Sequence, residues 1–323
     1  MNQTIKRRLP DWLKRPLPAG DSFNNTSSTI EKLGLETICT NANCPNKGEC
    51  WSRGTATVLI LGNICTRNCK FCSVAEGTPL PLDKTEPQRI AELAKQLKIK
   101  YLVITSVTRD DLPDGGASQF TDVINTVRQS VISTEVRPDD SGRTKRRNPS
   151  SSDFSTSAAS RLPLEMTNDI KFELLVPDFK NCQQKALEIL SAALPFVFGH
   201  NLETVPRLYS TARSGADYQA SLKLLEMAKK LLPDTPTKSS IMLGLGETDD
   251  EIEQVLADLR NVKCNRIAIG QYLKPSKDSL DVVEYIHPEK FDYWAGRAKQ
   301  LGFDWVMSSP FTRSSYHAET SEA

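Results

Sequence analysis

The 323-residue chain sets 41 Lys and Arg against 40 Asp and Glu, a formal charge of +1, so it lacks the basic bias that marks a nucleic-acid or anionic-membrane partner. With 38% hydrophobic and 25% charged residues the composition is globular, which excludes disorder of the whole chain. No apolar run approaches the roughly 18 residues of a membrane helix, and the start, MNQTIKRRLPDWLKRPLP, is too broken by charge and proline for a signal segment. A cytoplasmic protein is expected, with neither nucleic acid nor membrane among its partners.

In chain order, a cysteine-rich N-terminal extension over 1–54 precedes a long alternation of short apolar runs and amphipathic stretches. Strands are predicted at 57–61, 101–105, 172–176, 196–199, 241–245, 266–270 and 304–307. Helices are predicted between them at 87–97, 119–131, 184–192, 217–232, 249–259 and 288–301. Such an order predicts an α/β fold of parallel strands with right-handed crossovers, closed or partly closed as a barrel over 55–308. Loops at the carboxyl ends of such strands hold the chemistry. Residues 138–164, rich in Ser, Arg, Asp and Pro, interrupt the rhythm and are expected to be a mobile insertion; the basic run from Arg143 to Arg147 within it reads as a solvated loop. Residues 309–323 form a C-terminal tail.

The cysteines are the strongest signal. Six of the eight fall into two triplets, Cys39, Cys44, Cys50 and Cys65, Cys69, Cys72, while Cys182 and Cys264 stand alone and are given no role. With no export signal and few cysteines beyond, the pattern predicts a metal framework rather than disulfides. Structural zinc closes its tetrahedron with four ligands, and each group supplies three. Cys-x3-Cys-x2-Cys directly after an apolar strand suits a loop giving three thiolates to three irons of a cubane, leaving the fourth iron open for a substrate or cofactor. The looser first triplet, with Asn43, Pro45, Asn46 and Gly48, predicts a turn-rich loop around a second cluster whose fourth ligand is not local; a zinc loop completed by a distant His or Cys is the alternative.

Cys65-Thr66-Arg67-Asn68-Cys69-Lys70-Phe71-Cys72 resembles the cluster loop of radical S-adenosylmethionine enzymes. The upstream triplet together with Arg313-Ser314-Ser315-Tyr316 resembles the lipoyl synthase family in particular. The likeness runs on through Pro10-Asp11-Trp12-Leu13-Lys14, Thr105-Ser106-Val107, Arg109-Asp110-Asp111-Leu112, Val176-Pro177-Asp178-Phe179, His200-Asn201-Leu202-Glu203-Thr204, Met242-Leu243-Gly244-Leu245-Gly246-Glu247-Thr248 and Gly270-Gln271-Tyr272-Leu273. Thr108, Gly199 and the 138–164 insertion depart from the family pattern.

The resemblance implies a partial (β/α)6-type barrel whose extensions hold an auxiliary cluster. It also implies insertion of two sulfurs at C6 and C8 of an octanoyl chain amide-linked to a carrier lysine. Such C–H bonds resist acids and bases, and the family breaks them with a 5′-deoxyadenosyl radical from S-adenosylmethionine. Two [4Fe-4S] clusters are implied, one on Cys65, Cys69 and Cys72, the other a sulfide donor on Cys39, Cys44 and Cys50. Ser315, or its neighbour Ser314, is the implied fourth ligand of the donor, since a hydroxyl is a harder and more replaceable partner than thiolate. Thr105, Ser106 and Arg109 are expected to line the cofactor or acyl site. Asn201 and Glu203 are expected on ribose or methionine groups, and Arg207 on the carboxylate. Asp110 and Asp111 read equally well as helix caps, and Gly244 and Gly246 as turn devices. His287 and His317 are expected at the surface. Implied partners are octanoylated E2 domains of 2-oxoacid dehydrogenases, the glycine-cleavage H protein, an electron donor such as ferredoxin or flavodoxin, and an iron–sulfur cluster carrier. Rival readings are a biotin-synthase-like sulfur inserter and a non-catalytic iron–sulfur electron carrier.

Overall fold

In the computed structural model, which describes residues 8–15, 20–53, 55–135 and 170–322, three helices come first: α1 (Asp21–Lys32), α2 (Ile38–Asn41) and α3 (Lys47–Ser52). The insertion expected at 138–164 lies outside the described residues. Then follow β1 (Thr57–Ile60), a small parallel pair β2 (Ile64–Cys65) and β3 (Ala75–Glu76), α4 (Glu86–Gln96), β4 (Tyr101–Ser106) and α5 (Ala117–Glu135). The rest is β5 (Lys171–Leu175), α6 (Gln183–Ser191), β6 (Val197–Gly199), α7 (Tyr209–Ala212), α8 (Tyr218–Leu231), β7 (Thr237–Leu243), α9 (Asp249–Asn261), β8 (Arg266–Gln271), α10 (Pro288–Gln300) and β9 (Trp305–Ser308).

Seven strands form one parallel sheet in the order β1-β4-β5-β6-β7-β8-β9, each pairing with the next along the chain through a helical crossover. Leu59 of β1, Met242 of β7 and Tyr272 just after β8 line one cavity, so the sheet wraps round as the expected partial barrel. Burial on both faces explains why β1 (TVLI) and β8 (RIAIGQ) are inaccessible along their whole lengths. Helices cover the outside with a single apolar stripe. In α9 this is Ile252, Val255, Leu256 and Leu259, spaced i, i+3, i+4, i+7 behind a capping box of Thr248 and Glu251. No helix among the described residues is long and apolar enough to cross a membrane.

Several expectations are corrected. The strand placed at 241–245 is Thr237–Leu243, because its polar first half is buried: the Lys238 ammonium donates to Glu173 of β5 at 2.8 Å, both side chains almost inaccessible. It ends where Gly244 turns with φ +103°. The first cysteine triplet is not all turn. Cys39 lies in α2, capped by the Thr37 hydroxyl, and Cys50 lies in α3. Helix α1 went unread because its sequence, DSFNNTSSTIEK, is polar; Thr26 is nonetheless buried and donates to the Trp51 carbonyl at 3.0 Å. Asp110 and Asp111 do not cap α5. Asp114 does, accepting from the Gly116 and Ser118 amides at 3.0 and 2.9 Å.

After β9 the tail folds back across β8. The Ser309 amide donates to the Ile269 carbonyl, and the Gln271 amide to the Pro310 carbonyl. Glycine at 270 permits this approach, since a Cβ there would stand 2.0 Å from the Thr312 carbonyl oxygen.

Candidate active site

A cavity of about 420 Å³ opens at the carboxyl ends of the strands, where this architecture places chemistry. Leu59, Thr105, Ser106, Leu175 and Met242 line it from the strands. Cys65, Cys69 and Cys72, then His200, Asn201 and Glu203, line it from the loops that follow. Cys44 enters from the N-terminal extension, and Arg313, Ser314 and Ser315 from the tail. A larger depression of about 550 Å³ beside α6 and α8, lined by Asp178, Lys180, Gln183 and Asp217, holds none of the cysteines.

The loop after β1 is clamped by Arg67. Its Nε and Nη2 donate to Asp110 at 2.7 Å and its Nη1 to Asp178 at 2.5 Å, with 8% of the side chain exposed. Burial pushes the Asp178 carboxyl up, but Arg67 more than reverses this and holds it below the ordinary carboxylate range. One guanidinium thus ties the cysteine loop to the loops after β4 and β5. The Arg67 and Thr108 amides donate to Cys65 Sγ, and the Val74 amide to Cys72 Sγ, each at 3.4 Å. Thr108 serves through its backbone, so its departure from the family pattern leaves this contact intact. Burial pushes the Cys69 thiol up to about 12 and the Cys72 thiol up as well.

Of the first triplet only Cys44 reaches the cavity; Cys39 is buried and Cys50 half-buried behind it. Burial, then mutual repulsion with Cys39 and Cys44, pushes the Cys50 thiol up to about 12. The tail is stitched to this segment at several points. Asn46 donates to the Phe311 carbonyl at 2.7 Å, and the Glu49 carboxylate takes Arg15 at 3.0 Å and the Tyr316 hydroxyl at 2.9 Å. Arg53 meets His317 at 2.7 Å and Glu319 at 2.9 Å. His317 is therefore a half-buried member of the seam, contrary to the expected surface position, whereas His287 is exposed, edge-on to Trp12. Ser314 donates to Asn201 Oδ1 at 3.0 Å, while Ser315 lines the cavity and its hydroxyl makes no hydrogen bond to the described residues.

Among the described residues no three His, Cys, Asp or Glu side chains stand as a ready-made site for a metal ion. The donor set still fits iron–sulfur cubanes. A single zinc draws every thiolate to about 2.3 Å from one ion, whereas a cubane spreads its ligands over separate irons, and here Cys65, Cys69 and Cys72 line one cavity without closing on a single point. Backbone N–H groups already aimed at Cys65 and Cys72 are the bonds that such sulfurs accept. The Ser106 hydroxyl, buried and unpartnered at the cavity wall, is an open polar contact for a bound molecule.

The other expected residues divide. Thr105 lines the cavity but donates to the Leu175 carbonyl at 2.9 Å. Asn201 donates to Glu203 at 3.0 Å, and Glu203 adopts φ +69°, pinned to β7 through the Ser240 carbonyl and the Met242 amide. Arg207 does not reach the cavity. It is exposed, paired with Glu251 at 2.7 Å and donating to the Gly246 carbonyl. Arg109 is a buried clamp on Asp111 and the Leu61 carbonyl, also off the cavity. Gly244 and Gly246 are turn devices; the Gly244 and Leu245 amides both donate to the Glu247 carboxylate. Sequence reasoning missed His200, Arg213 and Arg313 as lining groups. For Arg213 the available signal was its place in the loop region between β6 and α8, at the carboxyl end of the barrel.

The pattern of the Radical SAM superfamily matches residues 59–259, and that of the N-terminal domain of lipoyl synthase of the Radical SAM family matches residues 1–44. Lipoyl synthase of Glaesserella parasuis is 44% identical over 319 residues, covering 98% of this chain and 88% of that protein. Lipoyl synthase of Methylococcus capsulatus is 45% identical over 316 residues, covering 98% and 87%. Among solved structures, Streptococcus suis SuiB bound to S-adenosylmethionine aligns with a TM-score of 0.51 at 12% identity, over 77% of this chain and 49% of that one. HydG, a maturase of the [FeFe]-hydrogenase, aligns with a TM-score of 0.50 at 13% identity, over 89% and 68%. Those two likenesses concern the fold. The near-complete likeness to the curated relatives, on a barrel that gathers cysteines from both triplets and the Arg-Ser-Ser-Tyr tail around one cavity, establishes that the chain belongs to the lipoyl synthase family of radical S-adenosylmethionine enzymes.

Proposed function

We propose that this cavity converts a carrier-bound octanoyl-lysine into lipoyl-lysine, with Cys65, Cys69 and Cys72 holding the cluster that serves S-adenosylmethionine. Cys39, Cys44, Cys50 and Ser315 hold an auxiliary [4Fe-4S] cluster as the sulfur source. An iron–sulfur cluster with S-adenosylmethionine is the cofactor set of this family, and bound here it supplies the one-electron chemistry that unactivated C–H bonds require. The observation that carries the reading is the meeting of both triplets and the tail: Cys65, Cys69, Cys72, Cys44 and Ser315 face one space. Ser314 is committed to Asn201, which leaves the Ser315 hydroxyl as the free oxygen donor. Leu59, Val107, Leu175, Val176 and Met242 give that space an apolar wall that accepts an acyl chain and keeps water from it. Thr105, Ser106, Asn201 and Glu203 are its cofactor contacts. Residues 1–54 and 309–323 act as one auxiliary unit on the 55–308 barrel. The substrate arrives on an E2 lipoyl domain or the glycine-cleavage H protein, electrons from a ferredoxin or flavodoxin, and replacement clusters from a carrier.

The test is anaerobic, reconstituted enzyme given an octanoyl-lysyl peptide, reductant and S-adenosylmethionine. The peptide is expected to gain two sulfurs, and the enzyme to hold about eight irons. Ser315→Ala is expected to lose the auxiliary iron and the sulfur-bearing product while still cleaving S-adenosylmethionine. About four irons in the unaltered enzyme, or zinc, sinks the two-cluster reading; full iron content and activity in Ser315→Ala sinks the choice of ligand.

A further inference from the structure

Leu61 joins β1 to the cysteine loop, and it adopts φ +70°, with Gly62 following at +89°. Glycine takes this left-handed backbone freely, whereas leucine keeps it only where its surroundings hold it there. Each part of Leu61 is held. Its amide donates to Glu86 Oε2 at 3.2 Å and its carbonyl accepts from Arg109 Nη1 at 3.3 Å, both bonds buried. Its side chain occupies the space that a Cβ on residue 116 would need, so Gly116 admits it. Gln119 Nε2 donates to the same Glu86 oxygen at 2.9 Å and so aims it. Glu86 opens α4 and Gln119 lies in the first turn of α5, both buried and neither lining the cavity. Glu86 forms no ion pair with any described residue. A buried carboxylate without one is costly to keep, and the hydrogen bonds its side chain accepts both serve this turn.

We propose that Glu86 is a positioning residue for the reaction: by accepting from the Leu61 amide it holds the left-handed turn that sends Cys65, Cys69 and Cys72 to the cavity, and Gln119 orients it. This rests on the reading that those cysteines hold the cofactor's cluster. Only Gly62, Asn63 and Ile64 separate the turn from Cys65. Just beyond, the loop must meet the segment after β4 in register. The Thr66 amide and hydroxyl donate to the Thr108 carbonyl at 3.1 and 3.0 Å, and the Thr108 amide donates to Cys65 Sγ at 3.4 Å. A different φ at Leu61 would swing these partners apart.

The test uses the full chain before and after anaerobic reconstitution, with amide hydrogen exchange read by mass spectrometry over residues 62–72 and iron counted. Glu86→Ala is expected to speed exchange over that segment about tenfold, the weight of one buried hydrogen bond, while β7 and β8 keep their protection. After reconstitution it should lack the iron of the Cys65 loop, about half the total, and keep the auxiliary iron. Glu86→Gln retains an oxygen for both donors, so its exchange should stay within about twofold of the unaltered protein. Gln119→Leu frees the carboxylate without removing it and should shift exchange the same way by a smaller factor, which decides the matter if Glu86→Ala does not fold. Unchanged exchange in a folded Glu86→Ala overturns the proposal. So does faster exchange spread evenly over the barrel, the mark of general destabilisation. Glu86→Gln failing as Glu86→Ala does overturns it too, because charge and not an accepted hydrogen bond would then be at work. If the unaltered enzyme takes up no iron on the Cys65 loop, the cluster reading fails by itself, and the exchange comparison still decides the role of Glu86.

Discussion

His200 shows how a single side chain can link the site to the stability of the fold. It is 1% exposed, and burial, reinforced by the neighbouring Arg213 charge, holds its imidazole below the ordinary value. Below about pH 6.5 the unfolded chain takes up a proton that the folded one refuses, so stability falls as pH falls through that range and is unaffected above it. The slope for one such group is about 1.4 kcal/mol per pH unit. Between pH 7.5 and 5.5 the unaltered protein is therefore expected to lose about 1 kcal/mol more than His200→Gln, read from urea denaturation at the two pH values. Matching losses would show that the imidazole charges freely in the fold.

At the scale of elements, the joint between β8 and the tail is decided by one missing methyl group. A Cβ at Gly270 would meet backbone, the Thr312 carbonyl carbon as well as its oxygen, and backbone cannot swing aside as a flexible side-chain end can. Gly270→Ala is expected to destabilise the protein by about 1–3 kcal/mol, the usual weight of overpacking, and to displace Ser315 from the cavity. Iron on the Cys65 loop should survive while the auxiliary iron is lost. Gly296→Ala is the control: its Cβ meets nothing within 4 Å in the middle of α10, so a gain of up to about 1 kcal/mol is expected from helix propensity. Equal iron contents in the two variants would detach the tail from cluster assembly.

Over the whole molecule, the described parts of the N-terminal extension and of the C-terminal tail form one seam, from Arg15, Asn46, Glu49 and Arg53 to Phe311, Tyr316, His317 and Glu319. Glu49 is its centre. Burial pushes its carboxyl up, but the Tyr316 hydroxyl, Arg15 and His317 outweigh that and hold it below the ordinary range. Ion pairs this accessible contribute on the order of 0–1 kcal/mol each, so Glu49→Ala should unfold nothing, and its effect should fall on geometry. The expected outcome is a thermal midpoint within a few degrees of the unaltered protein and iron reduced by about half. A full iron complement would mean that the seam is dispensable for holding Ser315 near Cys44.

Alternating apolar runs located the seven strands of the main sheet, though not the short pair β2 and β3, and the six main crossover helices, because periodicity reports which face of an element is buried and needs no knowledge of its partner. The spacing of the two cysteine triplets was equally plain, since a tight loop is local chemistry. The first half of β7 was hidden because Lys238 is accommodated by Glu173, 65 residues away along the chain. Of Arg207 and Arg213, in one short segment, no local rule says which turns inward. Tertiary structure sends Arg207 outward to Glu251 and seals Arg213 among His200, Tyr209 and Ser221, since a charge goes where distant parts of the chain offer partners.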